Sequence, residues 1–498
     1  MRIVSRLQWL GVVPALILTL AGVAGAQDTY QTHFQRGVSL HEQGDLAGAA
    51  EAFQAALDAM PATHPDRANV LAWRGTVALE LKRYPEAIQY LEQADQLNPQ
   101  SKVVQNNLGN AYAGKGQADK AEAAYRAALA LDAADFDAHF NLANLLAQQR
   151  KWEAAFNEYS RALQAKPSDV EAHVNFGYAL HQDGELDKAL REYRLAADLQ
   201  PQSVELWLSL GSLCLESKQD AAAAQAYSRA LALAPDQAEA RLGLGTALYN
   251  QGQLAEALPH LQAAADALPE SFVAQYNLGL LQAALEDWIS AEAAYNRALA
   301  LQPAHAGCLN NLGWVLMQEQ RYPEAVEAFR RALAADPKLE LAYLNLARVL
   351  GQSGETGSAQ QAWLTATSRF PDSEQAHLGL GDSYLAEGDK DHALAEYLRV
   401  TQINPQHAVA YNNLGLIYLD RSDLGAAGKY FHLALNADPK LVAALNNLGV
   451  IYQKQGKLDQ ARQMYEQALQ VDPAYEPARQ NLDALSPAPP VGPTPVLG

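Results

Sequence analysis

The chain has 498 residues, 49% of them apolar, and carries 56 acidic against 37 basic residues for a formal charge of −19. Acid excess of that size argues against nucleic acid and anionic membrane surfaces as partners, and it permits a cationic one. Two cysteines, Cys214 and Cys308, are too few for a disulfide framework.

The first stretch reads as an export signal. Arg2 and Arg6 supply a positive start, Trp9 to Leu20 an apolar run, and Ala24-Gly25-Ala26 a small-residue cleavage site. Residues 1–26 are therefore expected to be a signal peptide. The mature chain is expected in the periplasm, with no stable membrane insertion. Secretion, or anchoring by an uncleaved N-terminus, is the alternative. Gly11, Pro14 and the shortness of the apolar run favour cleavage.

From residue 30 to residue 475 the chain repeats itself with a period of 34. The copy Ala306 to Leu339 shows the pattern. Leu309, Leu312, Val315 and Leu316 space one amphipathic helix, and Ala325, Phe329 and Ala332 space a second. Asp336-Pro337 ends it, because proline donates no amide and clashes with the preceding turn. Copies start near residues 30, 68, 102, 136, 170, 204, 238, 272, 306, 340, 374, 408 and 442, with one four-residue insertion, His64–Arg67. Position 8 is small throughout, from Gly37 to Gly449. Position 20 is always alanine, from Ala49 to Ala461. Position 24 is usually aromatic, position 27 alanine except Val400, and position 32 proline except Ala133. Small residues recurring in register suggest helices that approach closely.

A 34-residue period marked by small-8, Ala-20, aromatic-24, Ala-27 and Pro-32 resembles the tetratricopeptide repeat family. The resemblance implies an all-α, right-handed superhelical solenoid of thirteen helix pairs over residues 27–475. Residues 476–485 begin one more first helix, with Ala478 and Leu482 on its apolar side, and are expected to cap the last repeat. Residues 486–498 hold five prolines and no charge, the composition of an extended, disordered segment. Stacked layers also keep Cys214 and Cys308, in the sixth and ninth copies, too far apart to pair, so both are expected as free thiols.

In the family, the first helices line a concave groove that holds proteins or peptides. Position 6, on that face by resemblance, is asparagine eight times: Asn107, Asn141, Asn175, Asn277, Asn311, Asn345, Asn413 and Asn447. An amide offers donors and an acceptor, so the row could grip an extended backbone. In this it is similar to the repeats of O-linked GlcNAc transferases, without their catalytic domain. The plainer reading is a consensus asparagine bonded within its own repeat. Ser209, Gly243 and Gly379 interrupt the row. Leu208, Leu242 and Trp207 beside the first two breaks suggest an apolar middle section. Asp137, Glu171, Glu205 and Glu239 at position 2 could meet a basic partner segment or merely favour a helix start.

Signals for catalysis, metals and cofactors are lacking. His41-Glu42 is followed by Asp45 where a zinc helix needs histidine. His33, His139, His173 and His377 share position 4 but lie a layer or more apart, too far for one ion. The expected activity is non-catalytic: a protein-binding scaffold or adaptor. By resemblance to exported family members it would serve envelope assembly, secretion or polysaccharide export. A substrate-presenting subunit of a two-protein, glycosyltransferase-like enzyme is the second reading. Self-association of solenoids is a third.

Overall fold

Helix follows helix at a fixed interval. A computed structural model describes residues 27–485, which form twenty-seven α-helices and, among the described residues, no strand. The signal segment, residues 1–26, and the proline-rich segment, residues 486–498, lie outside the described residues. From Lys102 onward each first helix has 13 residues and each second helix 14, and both kinds restart every 34 residues. Of the four extra residues His64–Arg67, the first three fall in the turn after the helix Leu46–Ala59 and Arg67 opens the helix Arg67–Glu80. The helix Glu476–Ala484 closes the series.

Compact packing divides the chain into two units, Met1–His260 and Leu261–Gly498. Their boundary lies inside the helix Leu254–Ala267, between His260 and Leu261 and next to its interior proline region at Pro259. Within each unit, the two helices of a repeat pack on each other and the second packs on the next repeat. First helices of successive repeats also touch, whereas second helices have no comparable contact. The first-helix side is therefore the tighter side of each unit.

Why the period persists is visible in the burial. Every position-20 alanine is at most 4% exposed, and every position-27 residue, Val400 included, is wholly buried. Position 3 is buried too, filled by alanine from Ala342 to Ala478, by Cys308 in the ninth copy, and by the larger Val70, Val104 and Leu206 in earlier ones. The glycines of position 8 answer a more specific demand than close helix axes. A Cβ on Gly109 would lie 2.3 Å from Cε1 of Tyr125, and one on Gly313 2.7 Å from Cε1 of Phe329. The position-24 ring lies where that methyl would be. In the second copy Leu91 replaces the ring, 2.6 Å from the same point on Gly75.

Each first helix ends in the same way. The residue at position 15 takes a left-handed conformation, and the next amide reaches back five residues, as Gln117 N does to Tyr112 O at 2.8 Å. Seven of these residues are glycine. Lys82, Arg150, Lys218, Glu286, Gln320 and Ser422 hold φ between 56° and 63° without being glycine. This turn signal sits in the polar break of the sequence, where no apolar periodicity points to it.

Candidate functional site: the first-helix face

The position-6 asparagines lie between layers. Asn107 donates its Nδ2–H to Thr76 Oγ1 at 3.1 Å, Asn141 to Asn106 Oδ1 at 3.1 Å and Asn175 to Asn144 Oδ1 at 3.3 Å. In the second unit Asn311 donates to the Tyr276 hydroxyl at 3.1 Å, Asn345 to Asn310 Oδ1 at 3.0 Å, Asn413 to Asp382 Oδ1 at 3.4 Å and Asn447 to Asn412 Oδ1 at 3.0 Å. Every acceptor belongs to the preceding repeat, at position 5 or 9. The plainer reading of the row, bonds within one repeat, is thus corrected for these seven asparagines: each ties its repeat to the one before it. Asn107, Asn141, Asn175 and Asn345 are at most 4% exposed, and Asn277, Asn311, Asn413 and Asn447 are partly buried. Asn481 of the final helix extends the ladder, donating to Asn446 Oδ1 at 2.9 Å.

At two of the three interruptions, Ser209 and Gly379, the face opens. At Ser209 a cleft of about 590 Å³ is lined by Tyr178, His181, Glu205, Leu208, Glu216 and Glu239, with the rings of Tyr193 and Tyr227 behind. Glu205 and Glu239 stand exposed at position 2. Glu216 accepts from His181 Nε2 at 2.8 Å. Burial pushes the phenols of Tyr193 and Tyr227 up to about 12, so both stay neutral walls. At Gly379 a second cleft, of about 770 Å³, opens beside Trp363. At Gly243 the ring of Tyr227 fills the gap, lying 2.2 Å from where a Cβ would be.

Family models for the tetratricopeptide repeat match successive windows of the chain: residues 21–62, 34–102, 106–170, 140–204, 174–238, 220–272, 276–340 and 344–408, with 316–368, 408–441 and 442–475 matched by three sister models. The chain belongs to the tetratricopeptide repeat family. No curated protein sequence matches it significantly. Among solved structures it is similar to the APC/C hetero-tetramer Cut9–Hcn1, at 15% identity and a TM-score of 0.39 over 92% of this chain and 96% of that one. It is also similar to YrrB, described as a TPR protein with an unusual peptide-binding site, at 25% identity and a TM-score of 0.32 over 37% of this chain and 95% of that one. MamA follows at 22% identity and a TM-score of 0.30, over 32% of this chain and 95% of that one.

Other candidates drawn from the sequence take structural posts in these tetratricopeptide repeats. Trp207 does not line the Ser209 cleft. Its Nε1–H donates to Pro201 O at 2.9 Å, tying the loop between repeats. Arg241 and Arg479 at the same position reach Pro235 O and Pro473 O. His139, His173 and His377 use Nε2 for the carbonyls of Ala133, Pro167 and Pro371, and Nδ1 for Glu158, Glu192 and Glu396 at 2.6–2.7 Å. Burial lowers the pKa of His139 and His173. The bonds to carboxylate and carbonyl more than offset it, and both groups end above the ordinary histidine value. The spacing of the position-4 histidines excluded a shared metal ion but did not say what position 4 binds. Its partner at position 23, a carboxylate on the second helix, is the signal that would have placed it correctly.

Cys214 and Cys308 are both free and fully buried. Burial raises the Cys214 thiol and pushes Cys308 up to about 12, which makes both poor nucleophiles. Among the described residues no group of three or more His, Cys, Asp or Glu is placed to hold a metal ion, and no helix is long and apolar enough to cross a membrane.

The two units offer different faces. In the first, position 2 runs through the acids Asp137, Glu171, Glu205 and Glu239. In the second, Val273, Leu341 and Val409 take position 2 and are 52%, 49% and 44% exposed.

Proposed function

We propose that the chain is a non-catalytic scaffold that holds a protein partner on the first-helix face, gripping a basic segment of it at the Ser209 cleft. The observation that carries this is the placing of that cleft. The asparagine ladder stops at Ser209, and the opening there is rimmed by Glu205, Glu216 and Glu239 over tyrosine walls. A lysine or arginine side chain entering there finds carboxylates for its charge and rings for its stem and cation–π contact. The net charge of −19 would steer such a partner toward the chain.

The reading as a peptide-presenting enzyme subunit leaned on free asparagine amides. Seven of the eight Nδ2 donors are engaged by the neighbouring repeat, which favours the scaffold. Export to the periplasm remains part of the proposal, on the sequence of residues 1–26. Service in envelope assembly, secretion or polysaccharide export rests on the family resemblance.

Titration of the full chain with a fluorescent lysine- and arginine-rich peptide tests the binding. Saturable binding is expected that weakens with rising salt and drops at least tenfold in Glu205→Gln/Glu239→Gln. Equal binding of an acidic peptide, or indifference to that double substitution, would sink it. Fractionation of expressing cells and N-terminal sequencing, with Gln27 expected first, test export.

A further inference from the structure

Within the second unit, position 9 of the first helices makes a column that reads as its own complement when reversed. Through repeats eight to thirteen it runs Leu280, Trp314, Arg348, Asp382, Leu416 and Val450. Two opposite charges stand in the middle, and apolar side chains stand on either side. Position 9 also supplies acceptors to the asparagine ladder, as Asp382 does for Asn413, so the column belongs to the first-helix face.

Arg348 and Asp382 are exposed and rim the cleft at Gly379, between the tenth and eleventh repeats. Among the described residues neither has an ion-pair partner. Arg348 donates from Nη1 to Asn345 Oδ1 at 3.0 Å, which leaves Nε and Nη2 for an outside acceptor. Asp382 uses Oδ1 alone, for the Tyr397 hydroxyl at 2.6 Å and for Asn413 at 3.4 Å, which leaves Oδ2. Partial burial raises the Asp382 carboxyl, against the lowering bond from Tyr397, so a guanidinium arriving from outside would stabilise its charged form. Leu416 is 37% exposed, and Leu280, Trp314 and Val450 are partly buried. The column therefore offers apolar surface on both flanks of the charges.

We propose that a second copy of this chain covers the face, antiparallel, with a two-fold axis between the tenth and eleventh repeats. Reversing the column sets Arg348 against the partner's Asp382, and Asp382 against the partner's Arg348. Trp314 then faces the partner's Leu416, and Leu280 the partner's Val450. Position 2 obeys the same reversal. Val409 and Val273, 44% and 52% exposed, face the partner's Gly307 and the partner's Ala443, so bulk meets a gap. A two-fold contact needs one patch that complements itself. Any other axis on this column puts like charges together or a charge against an apolar side chain, which is costly. An outside protein would need the reversed order on its own surface, and this chain already carries it. The contact is independent of the Ser209 cleft, whose lining belongs to the first unit.

Sedimentation of the full chain over a wide concentration range tests it. The mass is expected to rise to twice that of one chain. Arg348→Glu and Asp382→Lys should each weaken the dimer at least tenfold, because like charges then face each other twice. Mixed one to one, the two variants should pair again at near wild-type strength. The introduced charges then face each other, and the retained Asp382 of one chain faces the retained Arg348 of the other. Leu416→Lys, whose exposed side chain has no hydrogen bond to lose, should weaken the dimer to a similar degree. It keeps the contact testable if Asp382→Lys does not fold. A chain that stays monomeric at every concentration overturns the proposal and leaves the face to a different protein. A dimer indifferent to Arg348→Glu and Leu416→Lys overturns it too, by placing the contact elsewhere. So does a mixture of the two charge variants, both with wild-type helix content, that fails to pair.

Discussion

Asn345 donates its Nδ2–H to Oδ1 of Asn310, 35 residues earlier, at 3.0 Å. Both residues are buried, and Asn310 in turn donates to Asn311, whose own Nδ2–H reaches Tyr276. Side-chain amides thus pass from layer to layer along a buried to partly buried seam. Each link crosses between repeats, where a solenoid has only nearest-neighbour contacts to hold it.

Cutting one link therefore has a local and measurable cost. Asn345→Ala leaves Asn310 Oδ1 buried without that donor, a loss of about 1–3 kcal/mol. The urea midpoint should fall accordingly, while binding of the basic peptide to the first unit should not change. Unaltered stability together with lost peptide binding would return the asparagines to the ligand.

Glycines in this chain fall into two classes that substitution separates. Gly109→Ala drives a methyl into Tyr125, which is 1% exposed and cannot move aside, and should cost about 1–3 kcal/mol. Gly428→Ala meets nothing closer than Ile451 Cγ2 at 3.7 Å. It should stabilise its helix by about 0.5–1 kcal/mol. Thermal melts of the two variants should move in opposite directions.

The six left-handed side chains at position 15 are a reserve of stability. Arg150 holds φ 58° with a Cβ that the conformation disfavours. Arg150→Gly should raise stability by about 1 kcal/mol, since seven sister turns already use glycine there. An unchanged or lower melting temperature would show that the arginine side chain contributes more than its backbone costs.

The histidine clamps set a direction of pH dependence. His139 and His173 have folded-state pKa values above the ordinary value of 6.5. Their contribution is therefore complete below about pH 6.5 and is lost as pH rises through the folded value. Between mildly acidic and mildly alkaline buffer, the wild type should lose more melting temperature than His139→Gln/His173→Gln. Parallel curves for the two proteins would refute the clamp. Protonated, each ring donates at both nitrogens, to carboxylate and to carbonyl, which the glutamine variants cannot copy.

The sequence by itself determined the helix pairs, their period and the cap. Alanine at positions 20 and 27 and proline at position 32 are local steric demands repeated along a line, and a line of such demands is readable without coordinates. Register alone also placed the insertion, His64–Arg67, between the first and second copies. What the tertiary structure decided is where equal spacings diverge. Positions 4 and 6 share one period, yet the first ties loops and the second ties layers. The reason is direction: side chains two residues apart on a helix point about 200° apart. Only the packed neighbour shows whether an amide meets solvent, a ring or another amide. The clefts were legible only as interruptions. Ser209 and Gly379 break the row in the sequence, but that one gap exposes acids and tyrosines and the other an indole depends on which ring the adjacent repeat sends across.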